Sequence, residues 1–231
     1  MELIENVDTT KLEYLKNMKP VDVFSLFKKC KTNEEKKKQY QKVISYCSRM
    51  LKVNGEMKHI YKYTLTTNWG LGGRLFSGLS IQGQCSSIRG FLFNNTMDWD
   101  FQNCHPKILL YICKKHSLPL CDYAYLQHYC DNRDEILDTA EDRNEMKINI
   151  LKVVNDDKVN RKTTGFLKGL DKECKKLQRI IVPMKEYEDI VKTTPSHKLY
   201  NFYGSAINRI LCKYENELLQ DLRQSNYYPD V

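Results

Sequence analysis

The spacing of apolar residues along the chain separates helical from extended segments. From residue 1 to 53, apolar positions recur three or four residues apart among many lysines, which predicts helices. Thr32 or Asn33 is the expected N-cap of one of these helices. The segment Ile60–Thr67 instead alternates with a period of two and is rich in β-branched and aromatic residues. It predicts a strand, followed by a glycine-rich turn at 70–73.

The rest of the chain is predicted to be mostly helical. Two more short strands are expected, one at Phe91–Phe93 and one approaching Asp98–Asp100. A helix should begin near Asn103, because Pro106 is tolerated in a first helical turn. The pattern therefore predicts an α+β fold, rich in helices, with a small antiparallel sheet. Further helices are expected at 123–130, 133–154, 165–180, 184–192 and 202–224.

The composition indicates a folded protein with a polyanionic partner. Of the 231 residues, 41% are hydrophobic, and 37 lysines and arginines outnumber 29 acidic residues, for a net charge of +8. No apolar run approaches the roughly 20 residues that cross a bilayer, so we expect no membrane partner. Nine cysteines without a signal peptide favour free thiols in a reducing intracellular compartment, cytoplasm or nucleus. We divide the chain into a basic helical region, 1–58, and a second region, 59–231.

Asp98 and Asp100 are the first candidate site. Side chains alternate along a strand, so two carboxylates separated by one residue point to the same side. Paired carboxylates without a nearby basic residue are typical ligands of Mg²⁺. The alternative is a pair of exposed acids in a hairpin turn.

Arg143 and Lys147 are the second candidate site. They are four residues apart on a predicted helix, so they share one face and can grip a triphosphate. The alternative is an ordinary amphipathic helix.

A third feature is the turn Gly72–Gly73–Arg74, after which Gln82 and Arg89 lie in a polar run. Glycines let the backbone approach a ligand closely, and these polar side chains can contact sugars, phosphates and base edges. The turn is not a P-loop, because no lysine followed by serine or threonine completes it.

The order of these motifs resembles that of the family A DNA polymerases. The family's Gly-Arg-Leu-Ser, Leu-Gln and Ile-Arg elements resemble Gly73–Ser77, Ile81–Gln82 and Ile88–Arg89. Its motif A, an Asp followed five residues later by a Glu, is similar to Asp100 and His105. Its motif B, Arg then Lys four residues on and Tyr-Gly further on, is similar to the set Arg143, Lys147, Asn155 and Asp156.

A closer resemblance is to the divergent family A-like polymerases of large DNA viruses and mobile elements. It lies in Asp-x-Asp-x-x-Asn-Cys-His-Pro at 98–106 and in Asn132–Leu137. In those proteins the polymerase module often accompanies a helicase, so the resemblance implies a fused or separate helicase partner.

The resemblance implies a palm/fingers-like region with motifs at 72–89, 98–106 and 143–156. It implies transfer of a deoxynucleotide from a dNTP to the 3′ end of a primer by a two-metal mechanism. Asp100 would bind Mg²⁺, or Mn²⁺, and Asp98 would either assist or shape the turn. The other implied roles are triphosphate binding by Arg143 and Lys147, nucleotide contacts by His105 and Asn155, and primer-template binding by Arg74, Gln82 and Arg89.

The sequence departs from the family pattern at several positions. His105 replaces the acidic residue behind the sugar, and Asn155 replaces the aromatic residue near the incoming base. The family's third motif, which supplies a second metal-binding carboxylate, has no counterpart, since neither Asp221 nor Asp230 fits its pattern. We expect that carboxylate to lie beyond Val231, in which case this chain alone is an inactive fragment.

Four alternatives stay open. The first is a non-catalytic nucleic-acid-binding module of replication or initiation with a polymerase-like surface. The second is a metal-dependent glycosyl- or nucleotidyltransferase that uses Asp98 and Asp100 alone. The third is a Cys-His nucleophile at Cys104 or Cys130. The fourth is a zinc site drawn from Cys104, His105, Cys113, His116, Cys121, His128 and Cys130.

Overall fold

A computed structural model of the chain describes residues 2–63, 75–93, 101–158, 164–194 and 200–224. Eleven α-helices, three short 3₁₀ helices (Ile81–Gly83, Leu120–Tyr123 and Lys185–Tyr187) and two short antiparallel strand pairs account for the regular structure of these residues. The predicted class, α+β and rich in helices with little sheet, is confirmed. The described residues pack as two compact units, an N-terminal unit of 2–63 with 75–93 and a C-terminal unit of the described residues from 101 to 224.

The N-terminal unit combines four helices with the strands. Strand β1 (Glu2–Asn6) pairs antiparallel with β2 (Glu56–Ile60), with Leu3 opposite His59, and β3 (Lys62–Tyr63) pairs antiparallel with β4 (Leu75–Phe76). A single 3₁₀ turn at Ile81–Gly83 precedes the last helix. The elements are β1 (Glu2–Asn6), α1 (Thr9–Asn17), α2 (Pro20–Ser25), α3 (Asn33–Leu51), β2 (Glu56–Ile60), β3 (Lys62–Tyr63), β4 (Leu75–Phe76) and α4 (Ser86–Leu92).

Helix α3 begins where the sequence predicts. Thr32 is its N-cap: the Thr32 hydroxyl accepts a hydrogen bond from the Glu35 backbone N–H (3.1 Å), and the Glu35 carboxylate accepts one from the Thr32 N–H (3.2 Å). This reciprocal capping box satisfies two N–H groups that the helix leaves open. The buried face of α3 then packs into the core of the unit, with Val43, Tyr46, Cys47 and Met50 against Leu12, Leu15, Ile88 and Leu92.

A buried carboxylate, Glu5, joins several segments of the N-terminal unit. It accepts hydrogen bonds from the hydroxyls of Tyr46 (2.9 Å) and Tyr61 (3.2 Å) and from the Ile81 backbone N–H (2.9 Å). His59 Nε2 lies 3.2 Å from the same carboxylate. Burial and the neighbouring Glu5 charge raise the pKa of Tyr46, so its hydroxyl stays a donor. We call these five residues the Glu5 network.

The C-terminal unit is helical in all of its described residues that have regular structure. One apolar core unites its helices, and the largest fully buried side chains in it include Tyr123, Tyr187, Leu109, Ile112, Leu126, Leu137 and Leu170. The helices are α5 (Cys104–Lys115), α6 (Ala124–Asp131), α7 (Arg133–Asp138), α8 (Arg143–Asn155), α9 (Gly165–Ile181), α10 (Glu188–Lys192) and α11 (Phe202–Gln224).

The structure corrects three sequence predictions. The prediction of a strand at Phe91–Phe93 is wrong. Helix α4 continues to Leu92, and Ile88 and Leu92 are buried one helical turn apart. The helix predicted at 133–154 is two helices, α7 and α8, with a break before Asp142. The region 1–53, predicted to be helical, also contains β1.

Two other predictions bear on the arrangement of the chain. The strand predicted at Ile60–Thr67 is present as the end of β2 and as β3, while residues from 64 lie outside the described part. The strand approaching Asp98–Asp100 also lies outside it. The packing groups residues 75–93 with the N-terminal unit, whereas the sequence-based division placed them with region 59–231. Whether the boundary between residues 58 and 59 separates two different functions stays a prediction.

Candidate functional site

Helix α8 carries the two predicted basic residues one turn apart and buries three apolar residues nearer its C-terminal end. Asp142 caps the helix, since its side chain accepts hydrogen bonds from the N–H groups of Asn144 (2.7 Å) and Glu145 (3.1 Å). Arg143 and Lys147 follow one turn apart, as the sequence predicts, and Leu151 stands one turn further on. Ile150, Val153 and Val154 are buried; since Ile150 follows Lys147 by three residues and Val154 follows it by seven, Arg143 and Lys147 lie at the border of the buried face.

Two large apolar side chains on the outer part of α8 are exposed. Leu151 is 56% exposed and Ile148 is 52% exposed. Arg143, Lys147 and Leu151 recur every four residues, so they form a continuous stripe along the helix. We call these three residues the α8 stripe.

Arg143 is held by two carboxylates of α7. Its Nη2 lies 2.6 Å from Asp134 Oδ1, and its Nη1 contacts Asp138. The hydrogen bond from Arg143 holds the pKa of Asp134 below its usual range, and the pKa of Arg143 is raised in turn. The guanidinium is therefore oriented, and an anionic ligand that binds it has to compete with α7.

The C-terminal end of α8 is fixed by α9. The Lys175 ammonium donates to the Val153 carbonyl (2.6 Å), and the Gln178 amide donates to the carbonyls of Val154 (2.8 Å) and Asp156 (2.9 Å). These carbonyls have no partner within α8, so the side chains of α9 take the place of a C-cap. The α8 stripe thus rests on a helix whose last turn is anchored.

Asn155 lies at this anchored end and is bonded to α11 and the residues before it. Its side-chain oxygen accepts from the Asn208 amide (3.0 Å), its backbone carbonyl accepts from the Asn201 amide (3.1 Å), and its own amide donates to the Leu151 carbonyl (2.9 Å). Gly204 permits this close approach, since a Cβ there would lie 1.9 Å from the Asn155 carbonyl oxygen.

His105 lies in the first turn of α5 and faces α11. Its Nε2 is 3.5 Å from Glu215 Oε2, and Cys212 is adjacent. Burial alone would lower the pKa of His105, but hydrogen bonding and charge from Cys212 and Glu215 raise it to about 9. Asn103, before the helix, has a left-handed backbone with φ of 56°. His105, which the sequence predicted to contact the sugar, therefore contacts side chains of α11.

The predicted nucleic-acid contacts divide between the described and undescribed parts of the chain. Gln82 is exposed in the 3₁₀ turn, next to the Ile81 N–H that Glu5 holds, and Arg89 is exposed on α4. Both belong to the N-terminal unit. Arg74, Asp98 and Asp100 lie outside the described residues.

Positive charge is concentrated in the N-terminal unit. Its described residues contain fifteen lysines and arginines against eight acidic residues, whereas the described residues of the C-terminal unit contain eighteen of each. A group of seven lysines, which we call the lysine corner, surrounds the start of α3. These are Lys28, Lys29, Lys31, Lys36, Lys37, Lys38 and Lys42, all exposed except the half-buried Lys36.

The cysteines and histidines singled out by the sequence separate into different environments. Cys113 is in the core, Cys121 is exposed, and His116 contacts Glu186 at 3.2 Å. Burial raises the pKa of the Cys130 thiol to about 12, which keeps it protonated and argues against a nucleophile there. Among the described residues, one group of three potential metal ligands converges, His105 with Cys212 and Glu215. The sequence analysis did not single out Cys212 and Glu215. The one pattern that could have indicated them is their separation of three residues on a predicted helix.

Within the described part of the chain, no helix combines the length and apolar character needed to cross a membrane. No protein-family model, curated protein or solved structure matches the chain.

Proposed function

We propose that this chain is the palm/fingers-like part of a DNA polymerase of the family A type, in a viral or mobile-element replication protein. The reaction is template-directed transfer of a deoxynucleotide from a dNTP to a primer 3′ end. The observation that carries the proposal is the α8 stripe, two cations and an exposed apolar side chain on one anchored helix face. Arg143 and Lys147 are four residues apart, which is the spacing of the Arg and Lys in motif B.

The α8 stripe has the chemistry of a nucleotide-binding surface. Residues four apart on a helix rise by about 6 Å, which is comparable to the span from the first to the third phosphate of a triphosphate. Arg143 can contact phosphate oxygens through two N–H groups, and Lys147 adds a point charge. Leu151 and Ile148 offer apolar surface where a base can stack. The triphosphate displaces Asp134 and Asp138 from Arg143.

The catalytic carboxylates in this proposal are Asp100 and, beside it, Asp98. Two carboxylates suit Mg²⁺, which prefers oxygen ligands, and Mn²⁺ is an alternative ion. A pair of such ions lowers the pKa of the primer 3′-hydroxyl and stabilises the leaving pyrophosphate. His105 at the sugar and Asn155 at the base stay predictions, since both side chains have partners on or next to α11.

Primer-template DNA is the proposed partner of the N-terminal unit. Its excess of seven positive charges favours a phosphate backbone, and Gln82 and Arg89 are exposed for groove or backbone contacts. A helicase, fused or separate, is a further partner implied by the resemblance.

A second candidate is a non-catalytic nucleic-acid-binding replication module. It is favoured by the separation of charge, because the positive excess lies in the unit that contains neither Arg143 nor Lys147. Such a unit can bind a polyanion without any nucleotide site.

Primer extension separates the two candidates. A labelled primer-template is incubated with dNTPs and Mg²⁺, Mn²⁺ or EDTA, using this chain and, if natural downstream sequence exists, the chain lengthened by it. Metal-dependent extension by either form, abolished in Asp100→Ala, supports the polymerase. DNA binding without extension by both forms favours the non-catalytic module.

A binding experiment tests the α8 stripe directly. Each of Arg143→Ala and Lys147→Ala should weaken dNTP binding roughly tenfold to a hundredfold, the effect of one lost hydrogen bond to a charged group. Lys152→Ala is the matched control, because Lys152 is exposed on α8 but lies away from the α8 stripe. Equal affinities in all three variants would overturn the nucleotide-binding role of α8.

A further inference from the structure

Three side chains with different metal-binding atoms converge between α5 and α11. His105 comes from the first turn of α5, and Cys212 and Glu215 come from one face of α11, three residues apart. Their donor atoms all lie within 4.8 Å of one another, and His105 Nε2 is 3.5 Å from Glu215 Oε2. No part of the proposed polymerase mechanism uses Cys212 or Glu215.

The distances suit a tetrahedral ion. Zinc binds nitrogen and oxygen at about 2.0–2.2 Å and sulfur at about 2.3 Å, so its ligand atoms stand about 3.4–3.6 Å apart. The separation of 3.5 Å between His105 and Glu215 falls in this range. Cys212 Sγ lies within 4.8 Å of the other two ligand atoms, so a small shift of its side chain brings it to zinc-ligand separation.

The cluster is shielded from solvent. The side chains of His105 and Glu215 are only 12% and 19% exposed, and Cys212 is buried. The described neighbours of His105 Nε2 are the other two side chains of the cluster, and the 3.5 Å to Glu215 is long for a hydrogen bond. Buried polar atoms normally have a partner, and a metal ion is one kind of partner that fits this donor set.

The cluster keeps some access to solvent, because the side chains of His105 and Glu215 are not fully buried. A three-ligand site needs such access, because water completes the coordination of the ion. A cleft of about 510 Å³ also lies along α5 and α11, lined by Cys104, Ile108 and Tyr214 among others but by none of the three proposed ligands.

We propose that His105, Cys212 and Glu215 bind one Zn²⁺ ion, with water as the fourth ligand, and that the ion joins the start of α5 to α11. A thiolate and an imidazole select zinc over Mg²⁺, so this site is distinct from the Mg²⁺ site proposed at Asp98 and Asp100. The inference does not depend on the polymerase function, and it assigns His105 to the ion in place of the sugar contact that the resemblance implies.

Metal analysis of the full chain tests the site. Protein stripped with chelator and dialysed against Zn²⁺ should retain one zinc per chain by mass spectrometry of the metal. Co²⁺ in its place should give a thiolate-to-metal charge-transfer band in the unaltered protein. Cys212→Ser should remove the band, and both Cys212→Ser and Glu215→Gln should weaken Zn²⁺ binding at least about tenfold.

Two matched variants control for nonspecific effects. Cys121→Ser removes an exposed thiol of the same unit, and Glu217→Gln removes an exposed charge two residues from Glu215. Both should retain one zinc and the Co²⁺ band. Absence of retained zinc and of the Co²⁺ band in the unaltered protein would overturn the proposal. Retention of both in Cys212→Ser would also overturn it, since zinc would then be bound by other thiols.

Discussion

Arg143 Nη2 lies 2.6 Å from Asp134 Oδ1, so the first cation of the α8 stripe is already paired with a carboxylate of α7. Both side chains remain partly exposed, and a second carboxylate, Asp138, contacts the same guanidinium. Exposed ion pairs contribute little to stability because water and salt screen them. We therefore expect the Arg143–Asp134 contact to affect the affinity for an anionic ligand more than the free energy of unfolding.

Removing one of these carboxylates should make Arg143 more available to a triphosphate. We expect Asp134→Asn to tighten dNTP binding about twofold to fivefold, the scale of an exposed ion pair. The Asp134→Asn/Asp138→Asn variant should tighten it further. Titration calorimetry or fluorescence with a dNTP analogue measures the dissociation constants.

Glu135→Gln is the control for that experiment, because Glu135 is an exposed acid on the same helix without a contact to Arg143. Its dissociation constant should match that of the unaltered chain. Weaker binding in Asp134→Asn would mean that the carboxylate serves to orient the guanidinium for the ligand.

Lys175 should be a major contributor to the stability of the C-terminal unit. Its ammonium lies 2.9 Å from Asp171, is nearly buried, and also donates to the Val153 carbonyl at the end of α8. Lys175→Met would leave the Asp171 charge in the interior without its cation. We expect a loss of about 3–5 kcal/mol in the free energy of unfolding, measured by urea denaturation.

Two further variants of α9 serve as the control and as the test of the cause. Lys172→Met removes an exposed lysine of α9 and should change stability little. Adding Asp171→Leu to Lys175→Met should recover part of the loss, because the uncompensated charge is then gone. If the double variant is no more stable than Lys175→Met, loss of the hydrogen bond to Val153 or of packing is the main cause.

Gly204 and Gly90 should respond in opposite directions to alanine. A Cβ at Gly204 would lie 1.9 Å from the Asn155 carbonyl oxygen and 2.4 Å from Asn201 Oδ1, so α11 and the end of α8 must separate. Gly204→Ala should therefore destabilise the fold by about 1–3 kcal/mol. Gly90 lies in α4 with nothing near its Cβ position, and Gly90→Ala should stabilise it by about 0.5–1 kcal/mol.

Thermal unfolding of the two glycine variants provides the measurement. A Gly204→Ala protein as stable as the original chain would show that the approach of α11 to Asn155 is not tight in solution. Retained stability together with unchanged dNTP binding would also remove the role given to that contact in fixing α8.

The sequence predicted most of the helices because their pattern is local. In α9, the buried Leu170, Cys174, Leu177 and Ile181 repeat at helical spacing, and the predicted bounds differ from the observed ones by one residue. The break between α7 and α8 was missed although residues 138–145 contain one apolar residue, Ala140. Asp142 marks the break, since its side chain accepts hydrogen bonds from two backbone N–H groups at the start of α8.

Features that depend on distant parts of the chain could not be predicted in this way. Strand β1 exists because it pairs with β2, about fifty residues further on, and a five-residue segment alone carries too little pattern. The approach of Cys212 and Glu215 to His105 depends likewise on the packing of α11 against α5. By contrast, the shared face of Arg143 and Lys147 follows from helical spacing alone, so this part of the candidate site was predictable.

The lysine corner should determine how nucleic-acid binding depends on salt. Each phosphate contact contributes about 0.9 to the slope of log K against log salt concentration for duplex DNA. If Lys28, Lys29 and Lys31 each contact a phosphate, replacing all three with Gln lowers the magnitude of that slope by about 2.7. The matched control replaces three exposed lysines of the C-terminal unit, Lys168, Lys172 and Lys185, and removes the same total charge.

Fluorescence anisotropy with a labelled primer-template at several salt concentrations measures both slopes. A larger decrease in the first variant locates the phosphate contacts in the N-terminal unit, because the two variants have equal net charge. Equal decreases would show that only the total charge matters, and the lysine corner would then be an ordinary solvated surface. A larger decrease in the control would place the DNA on the C-terminal unit, against the arrangement proposed here.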